Sequence, residues 1–132
     1  MKIGLFIANQ WPGGMSPGPE LQNYLEQVRV AKANGFHSVW IPQHFVLAPM
    51  QMFQPLPLIA RLLAEAEGME IGTGILLLSM LNPVLVAEEA ATLDWFADGK
   101  LTLPVGIGYR PEEFAVTGVP IKQRASRTVE AI

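Results

Sequence analysis

The chain has 132 residues, half of them apolar, with 9 Lys plus Arg against 12 Asp plus Glu and no Cys. That length and apolar content suit one domain with a core, and the absence of cysteine excludes disulfides and thiolate metal sites. A net charge of -3 with no basic run gives no electrostatic footprint for nucleic acid or an anionic membrane.

Lys2 to Ala8 reads as a strand. Its apolar part is too short for a secretory core, and Asn9-Gln10-Trp11-Pro12-Gly13-Gly14 follows where a small-residue cleavage site would be expected, so a cytoplasmic protein is expected. Asn9 to Pro19 is rich in Gly and Pro, a composition that speaks against a regular element. Glu20 to Asn34 then has Leu21, Leu25, Val28 and Ala31 at helical spacing, with Gln22, Glu26, Arg29 and Lys32 for the wet side, and Gly35 stops it.

Val39, Trp40 and Ile41 favour a strand, and Pro42 breaks it, so the strand ends at Gln43 and His44. Val46 to Pro57 reads as a second irregular loop, whose Met50, Met52 and Phe53 either pack back on the fold or wall a pocket for a flat ligand. Leu58 to Glu67 is predicted helical, with Ile59, Leu62, Leu63 and Ala66 inward. Glu70 to Leu78 is predicted as a strand buried on both faces, and Gly72 and Gly74 within it suggest a bulge or a close backbone approach. The longest apolar run, Ile71 to Leu81, is interrupted by Gly72, Thr73, Gly74 and Ser79, and none reaches the roughly 18 residues that span a bilayer.

Asn82-Pro83 is a helix start, Asn as cap and Pro at the first helical position, for a helix to about Phe96. Lys100 to Val105 is a fourth strand, expected to be distorted or at an edge because Pro104 removes a ladder donor. Gly106 to Pro120 is expected as a loop, and a last helix begins near Ile121.

The strands start near residues 2, 37, 69 and 101, at intervals of 35, 32 and 32. This β/α repeat of about four units predicts an α/β fold with a parallel sheet, right-handed crossovers and helices outside. A doubly wound open sheet and one half of an eight-unit barrel both fit. In either, ligands sit at the carboxyl ends of the strands, which makes His44 the first candidate, as general acid or base or as hydrogen-bond donor. Gly106-Ile107-Gly108 is either a close-approach loop for a flat ring or phosphate, or a plain turn. Glu112 and Glu113 are expected to cap a helical turn or face solvent, with reach into the pocket as the alternative. Arg110 can pair with an anionic cofactor or with those glutamates, and Arg124 and Arg127 are expected to be solvated. His37 lies at the opposite end of the strand from His44, so the two cannot share an ion and no metal site is predicted.

Several strings in one order point further: Gly35-Phe36-His37-Ser38-Val39-Trp40 leading to His44-Phe45; Ile71-Gly72-Thr73-Gly74-Ile75 leading to Asn82-Pro83-Val84; Ala90-Ala91-Thr92-Leu93-Asp94; and Gly99-Lys100-Leu101-Thr102 with Gly106-Ile107-Gly108-Tyr109 and Glu113-Phe114. Together, from Met1 to Ile132, they resemble the luciferase-like flavin-dependent monooxygenases, most of all the branch using the deazaflavin coenzyme F-420, whose relatives also include FMN-dependent enzymes. The resemblance implies the N-terminal half of a TIM barrel, a single partial domain over residues 1–132. It implies an F-420 or FMN ring at the strand ends with His44 near its reactive part, and a bulge with a cis peptide bond at Gly74, Ile75 and Leu76. Asn82, Gly106 and Gly108 lie on the same face. Gln43 stands where deazaflavin enzymes commonly have an acid, Pro104 where relatives usually have glycine, and the family's main cofactor-phosphate contacts come from the second half of the barrel.

The implied function is a flavin-dependent oxidoreductase or monooxygenase acting on a small organic substrate; the alternative is a truncated, non-catalytic half-barrel serving as a binding or assembly module. Open strand edges and an unpartnered apolar face predict a homodimer or higher oligomer in either case.

Overall fold

Four parallel strands, each continued by a helix, frame the computed structural model, which describes residues 1–132. In chain order the elements are β1 (Gly4–Phe6), a two-residue β2 (Trp11–Pro12), α1 (Pro17–Ala33), β3 (Ser38–Ile41), a two-residue β4 (Met50–Gln51) and α2 (Pro55–Leu62). Then come β5 (Glu70–Thr73), α3 (Pro83–Phe96), β6 (Leu101–Thr102), α4 (Pro111–Thr117) and α5 (Arg124–Ala131). The main sheet has the order β1-β3-β5-β6, and all its pairs are parallel.

Register assigns the two faces. Leu5, Val39, Ile71 and Leu101 are aligned across the sheet, as are Phe6, Trp40, Gly72 and Thr102. Because successive side chains alternate, the first row belongs to the helix-covered side, where Val39 and Ile71 are fully buried with Leu25 and Val28 of α1, Ile59 and Leu62 of α2 and Leu93 of α3. The second row lines the inner face, where Phe6 remains 55% exposed. Gly72 is there because space forbids anything larger: a Cβ would run into the Thr102 carbonyl oxygen and the Trp40 ring.

Local chemistry explains where the elements differ from the sequence expectations. The first helix begins at Pro17 and the second at Pro55, each with proline in the opening turn, so both start earlier than hydrophobic spacing suggested. The second also stops early, at Leu62, and residues 63–68 form turns that still bury Ala66. The two Gly/Pro-rich loops are not wholly irregular. Trp11–Pro12 pairs antiparallel with Met50–Gln51, and buried Asn9 clamps the same loop, its Nδ2 donating to the Phe53 carbonyl at 2.6 Å and its Oδ1 accepting from the Phe53 N–H at 3.2 Å. Met52 and Phe53 thereby pack back on the core, with the Phe53 ring 4.7 Å from Trp11.

The strand expected over Glu70 to Leu78 stops at Thr73. At Gly74–Ile75, where the peptide bond is cis, the backbone bulges, and residues 78–80 form a 3-10 turn. The distortion expected at Pro104 is present too: β6 ends at Thr102, pairing resumes at the Leu76–Val105 bridge, and the Pro104 carbonyl accepts from Leu76 N–H and Thr73 Oγ1. Asn82 caps α3 as expected, Oδ1 accepting from the Val84 and Leu85 N–H groups. The sequence predicts a loop over Gly106 to Pro120, but α4 lies within it, opened by Pro111 and closed by Gly118 at φ +71°.

Tyr24 is buried against Phe53, and its hydroxyl has no partner. Burial first, and the charge of Glu20 second, raise its pKa from the ordinary 10.0. The folded chain therefore holds this proton more tightly than the unfolded chain; the associated stability is complete below pH 10 and is lost as pH rises through the folded value. Tyr24→Phe should make urea-unfolding stability fall less steeply between about pH 9 and pH 11 than in the wild type.

Candidate functional site

The carboxyl ends of β3, β5 and β6 meet at one cavity of about 420 Å³, lined by Pro42, Gln43, His44, Gly74, Ile75, Leu77, Ile107, Gly108, Tyr109 and Arg124. Pro42 ends β3 and turns the chain, so Gln43 and His44 leave the sheet at its rim. Three loops then hold the pair. Buried Gln43 accepts the Leu77 N–H on its Oε1 at 2.8 Å and donates to Gln54 Oε1 at 3.1 Å, while Gln54 donates to the His44 carbonyl at 3.0 Å.

The His44 ring is held by Glu113, in the first turn of α4. Nδ1 lies 2.8 Å from Glu113 Oε1, and the same oxygen accepts the Phe45 N–H at 2.9 Å. Glu113 is 0% exposed, with the Arg110 guanidinium 3.6 Å from Oε1. A carboxylate so deeply buried requires such compensation. Even so, Glu113 Oε2 and Arg110 Nη1 are both buried without hydrogen-bond partners. Tyr109 meets the His44 ring edge-on, centroids 6.3 Å apart.

The opposite wall is backbone. Gly74 N–H donates to the Ile41 carbonyl, and Gly106 N–H donates to the Leu76 carbonyl, so the bulge is fastened to both neighbouring strands. Ser79 Oγ donates to the Ile107 carbonyl at 2.9 Å, and Arg127 Nε donates to the Ser79 carbonyl at 2.7 Å. Gly108 is buried at φ +71°, where a Cβ would strike Met80 and approach Phe114.

Of the residues singled out from the sequence, His44, Gly74, Ile75 and Gly108 come together on this cavity. Leu76 is fully buried and faces a smaller neighbouring cavity of about 220 Å³, whose rim includes Asn82, with its side-chain oxygen committed to the cap of α3. Gly106 lies beneath the Ile75 side chain, which fills the space a Cβ would need. His37 is at the far end of β3, 3.6 Å from Glu70. Three expectations are corrected. Glu113 is neither a cap nor solvated but buried against His44; Arg124 lines the cavity; and Arg127 is tied to the Ser79 carbonyl. From sequence, reach into the pocket is only the lesser alternative for Glu113, because a helical turn at Glu112 and Glu113 does not say which carboxylate faces inward. No group of three or more metal-ligating side chains occurs, and no helix is long and apolar enough to cross a membrane.

Comparison with known proteins adds the family. A model of the family described as luciferase-like monooxygenase matches residues 1–132. The chain belongs to this family. Among luciferase-like relatives, the 4-hydroxyprotoasukamycin monooxygenase of Streptomyces nodosus subsp. asukaensis is 27% identical over 132 residues, covering 100% of this chain and 36% of the relative. The oxygenating constituent of 3,6-diketocamphane monooxygenase from the CAM plasmid of Pseudomonas putida, solved with FMN, superposes with a TM-score of 0.88 at 20% identity over 99% of this chain and 37% of that one. An F420-dependent secondary alcohol dehydrogenase, solved with an F420-acetone adduct, gives 0.79 at 30% identity over 98% and 39%. The fold is thus a portion of the luciferase-like barrel, and the chain spans about a third of the length of the relatives it matches.

Gln43 joins the end of β3 to the bulge. Gln43→Ala should leave the Leu77 N–H unpaired in a buried position and destabilise the fold by about 1–3 kcal/mol, read from urea unfolding; an unchanged midpoint would show that Gln43 does not hold the rim.

Proposed function

We propose that the chain builds part of the active site of a flavin- or deazaflavin-dependent oxidoreductase, of monooxygenase type, acting on a small organic substrate. The observation that carries this reading is the convergence of His44 and the Gly74–Ile75 bulge on one cavity at the strand ends, in a family whose compared structures include an FMN complex and an F420 adduct.

The residues present fit a flat ring. Gly74 and Gly108 present backbone in place of side chains, Ile75 and Ile107 give apolar surface, and His44, Tyr109 and Arg124 supply a few polar groups. A cavity of this size with mostly apolar walls is of the kind that small ligands occupy. Gly74, Ile75 and Gly108 would form the seat for FMN or coenzyme F-420, with Leu76 behind the bulge and Gly106 and Asn82 as backbone and rim contacts. When bound, such a ring supplies the redox chemistry. His44, with Nδ1 occupied by Glu113, has Nε2 left to hold or move a proton in the cavity. Ile75 and Ile107 would offer apolar surface to the ring, and the Gln43–Gln54 pair keeps the His44 backbone in place.

A second expectation concerns assembly. β1 and β6 are open edges, and Phe6, Ile75 and Ile107 are 55%, 42% and 43% exposed. Such a face gains from a cover, and self-association as a homodimer or higher oligomer, in the cytoplasm, is part of the proposal. The non-catalytic binding-module reading shares this need for a cover but does not require a flavin.

Sedimentation velocity with added FMN or F-420, recording protein and flavin absorbance together, tests the cofactor reading. Flavin should travel with the protein, and His44→Ala should keep it while lowering turnover about a hundredfold or more. Protein sedimenting without flavin under every loading condition would leave only the binding-module reading. The same runs check assembly, for which a dimer or larger species is expected and a dilute monomer is the contrary result.

A further inference from the structure

We propose that Glu113 is a positioning residue for His44: its Oε1 fixes the imidazole with the proton on Nδ1 and so makes Nε2 the nitrogen that can accept a proton in the cavity. The proposal rests on the flavin-site reading for its purpose, but its chemistry is visible without any cofactor.

Phe45 N–H can only donate, so Glu113 Oε1, 2.9 Å away, acts as an acceptor. His44 Nδ1 lies 2.8 Å from that same oxygen; a carboxylate paired with Arg110 can only accept, so Nδ1 donates to it, which in the neutral ring leaves Nε2 as the acceptor. The location of Glu113 adds a second argument. It is the third helical residue of α4, from which a glutamate ordinarily reaches back to the N–H of its own cap residue. It instead reaches His44, 69 positions away in sequence, and does so with no exposure to solvent. Packing alone would be better served by an apolar residue, since burying a carboxylate is costly without partners. The other polar and charged groups around the ring are Tyr109 edge-on, Arg110 beside the carboxylate and Arg124 on the cavity wall. None of these makes a hydrogen bond to His44.

The experiment is a two-dimensional proton–nitrogen correlation of the imidazole rings in the full chain labelled with 15N-histidine. It is run without flavin near pH 8, where an ordinary imidazole is neutral, and a His37→Gln variant assigns the second ring. In the wild type, His44 should show a protonated Nδ1 and a bare Nε2. Glu113→Ala should lose this single tautomer. Glu113→Gln, with its amide oxygen held by the Phe45 N–H, should retain it, and it carries the test if the alanine variant does not fold. A wild-type ring protonated on Nε2, an unchanged tautomer in a folded Glu113→Ala, or a switched tautomer in Glu113→Gln would each overturn the proposal. Failure to bind flavin would touch the functional reading and leave this result standing.

Discussion

The buried carboxylate of Glu113 is the contact on which the geometry of the site depends. It bonds the His44 ring and the Phe45 backbone together, so the end of β3 and the start of α4 meet at one oxygen atom. Without it, His44 would hang on a loop whose other fastenings, the Gln54 amide on its carbonyl and the Met52 sulfur on its N–H, hold only its main chain. Arg110, on the same turn as Glu113, provides the opposing charge that lets a carboxylate sit in the interior. A short helix thereby does more for the chemistry than for the core, since Phe114 is its one buried apolar residue.

Opposite this polar fastening is a wall set by glycine. Gly72 lets β5 approach β6 and the Trp40 ring, Gly74 allows the chain to leave the sheet beneath Phe6, and Gly108 brings the fourth loop against Met80 and Phe114. A side chain at Gly72 would separate β5 from β6, and one at Gly108 would push the fourth loop off Met80 and Phe114. The apolar core on the other side of the sheet, from Ile7 through Leu93, keeps the strands fixed while their ends remain irregular. A rigid sheet with adaptable rims is the arrangement in which parallel α/β folds place their ligands.

Much of this was legible in the sequence because it depends on local rules. Strand positions followed from β-branched runs and the spacing of the repeat. The start of α3 followed from Asn82-Pro83, and the bulge was foreshadowed by Gly72 and Gly74 within an apolar run. The family resemblance was legible for the same reason, since its strings lie at these turns. What escaped was α4 and with it the role of Glu113. Helix α4 is only seven residues long and shows no full apolar stripe, so its signals were limited to Pro111 and Gly118. The partnership of Glu113 with His44 spans 69 residues and is set by tertiary packing, which no local pattern encodes. The mini-sheet of β2 and β4 was hidden likewise: two residues on each side, one of them proline, carry too little periodicity to read.

The Asn9 clamp has a consequence for anyone wishing to alter what the cavity accepts. The loops after β1 and β3 are joined through Asn9, Phe53 and the β2–β4 pair, while those after β5 and β6 are joined through Ser79 and the Ile107 carbonyl. The rim is thus not four independent segments but two pairs, cross-tied where Gln43 Oε1 accepts the Leu77 N–H and where Glu113 Oε1 meets His44 and Phe45. A graft or insertion in any one loop would have to be designed together with its mate, and libraries that vary paired loops jointly suit this scaffold better than those that scan them singly.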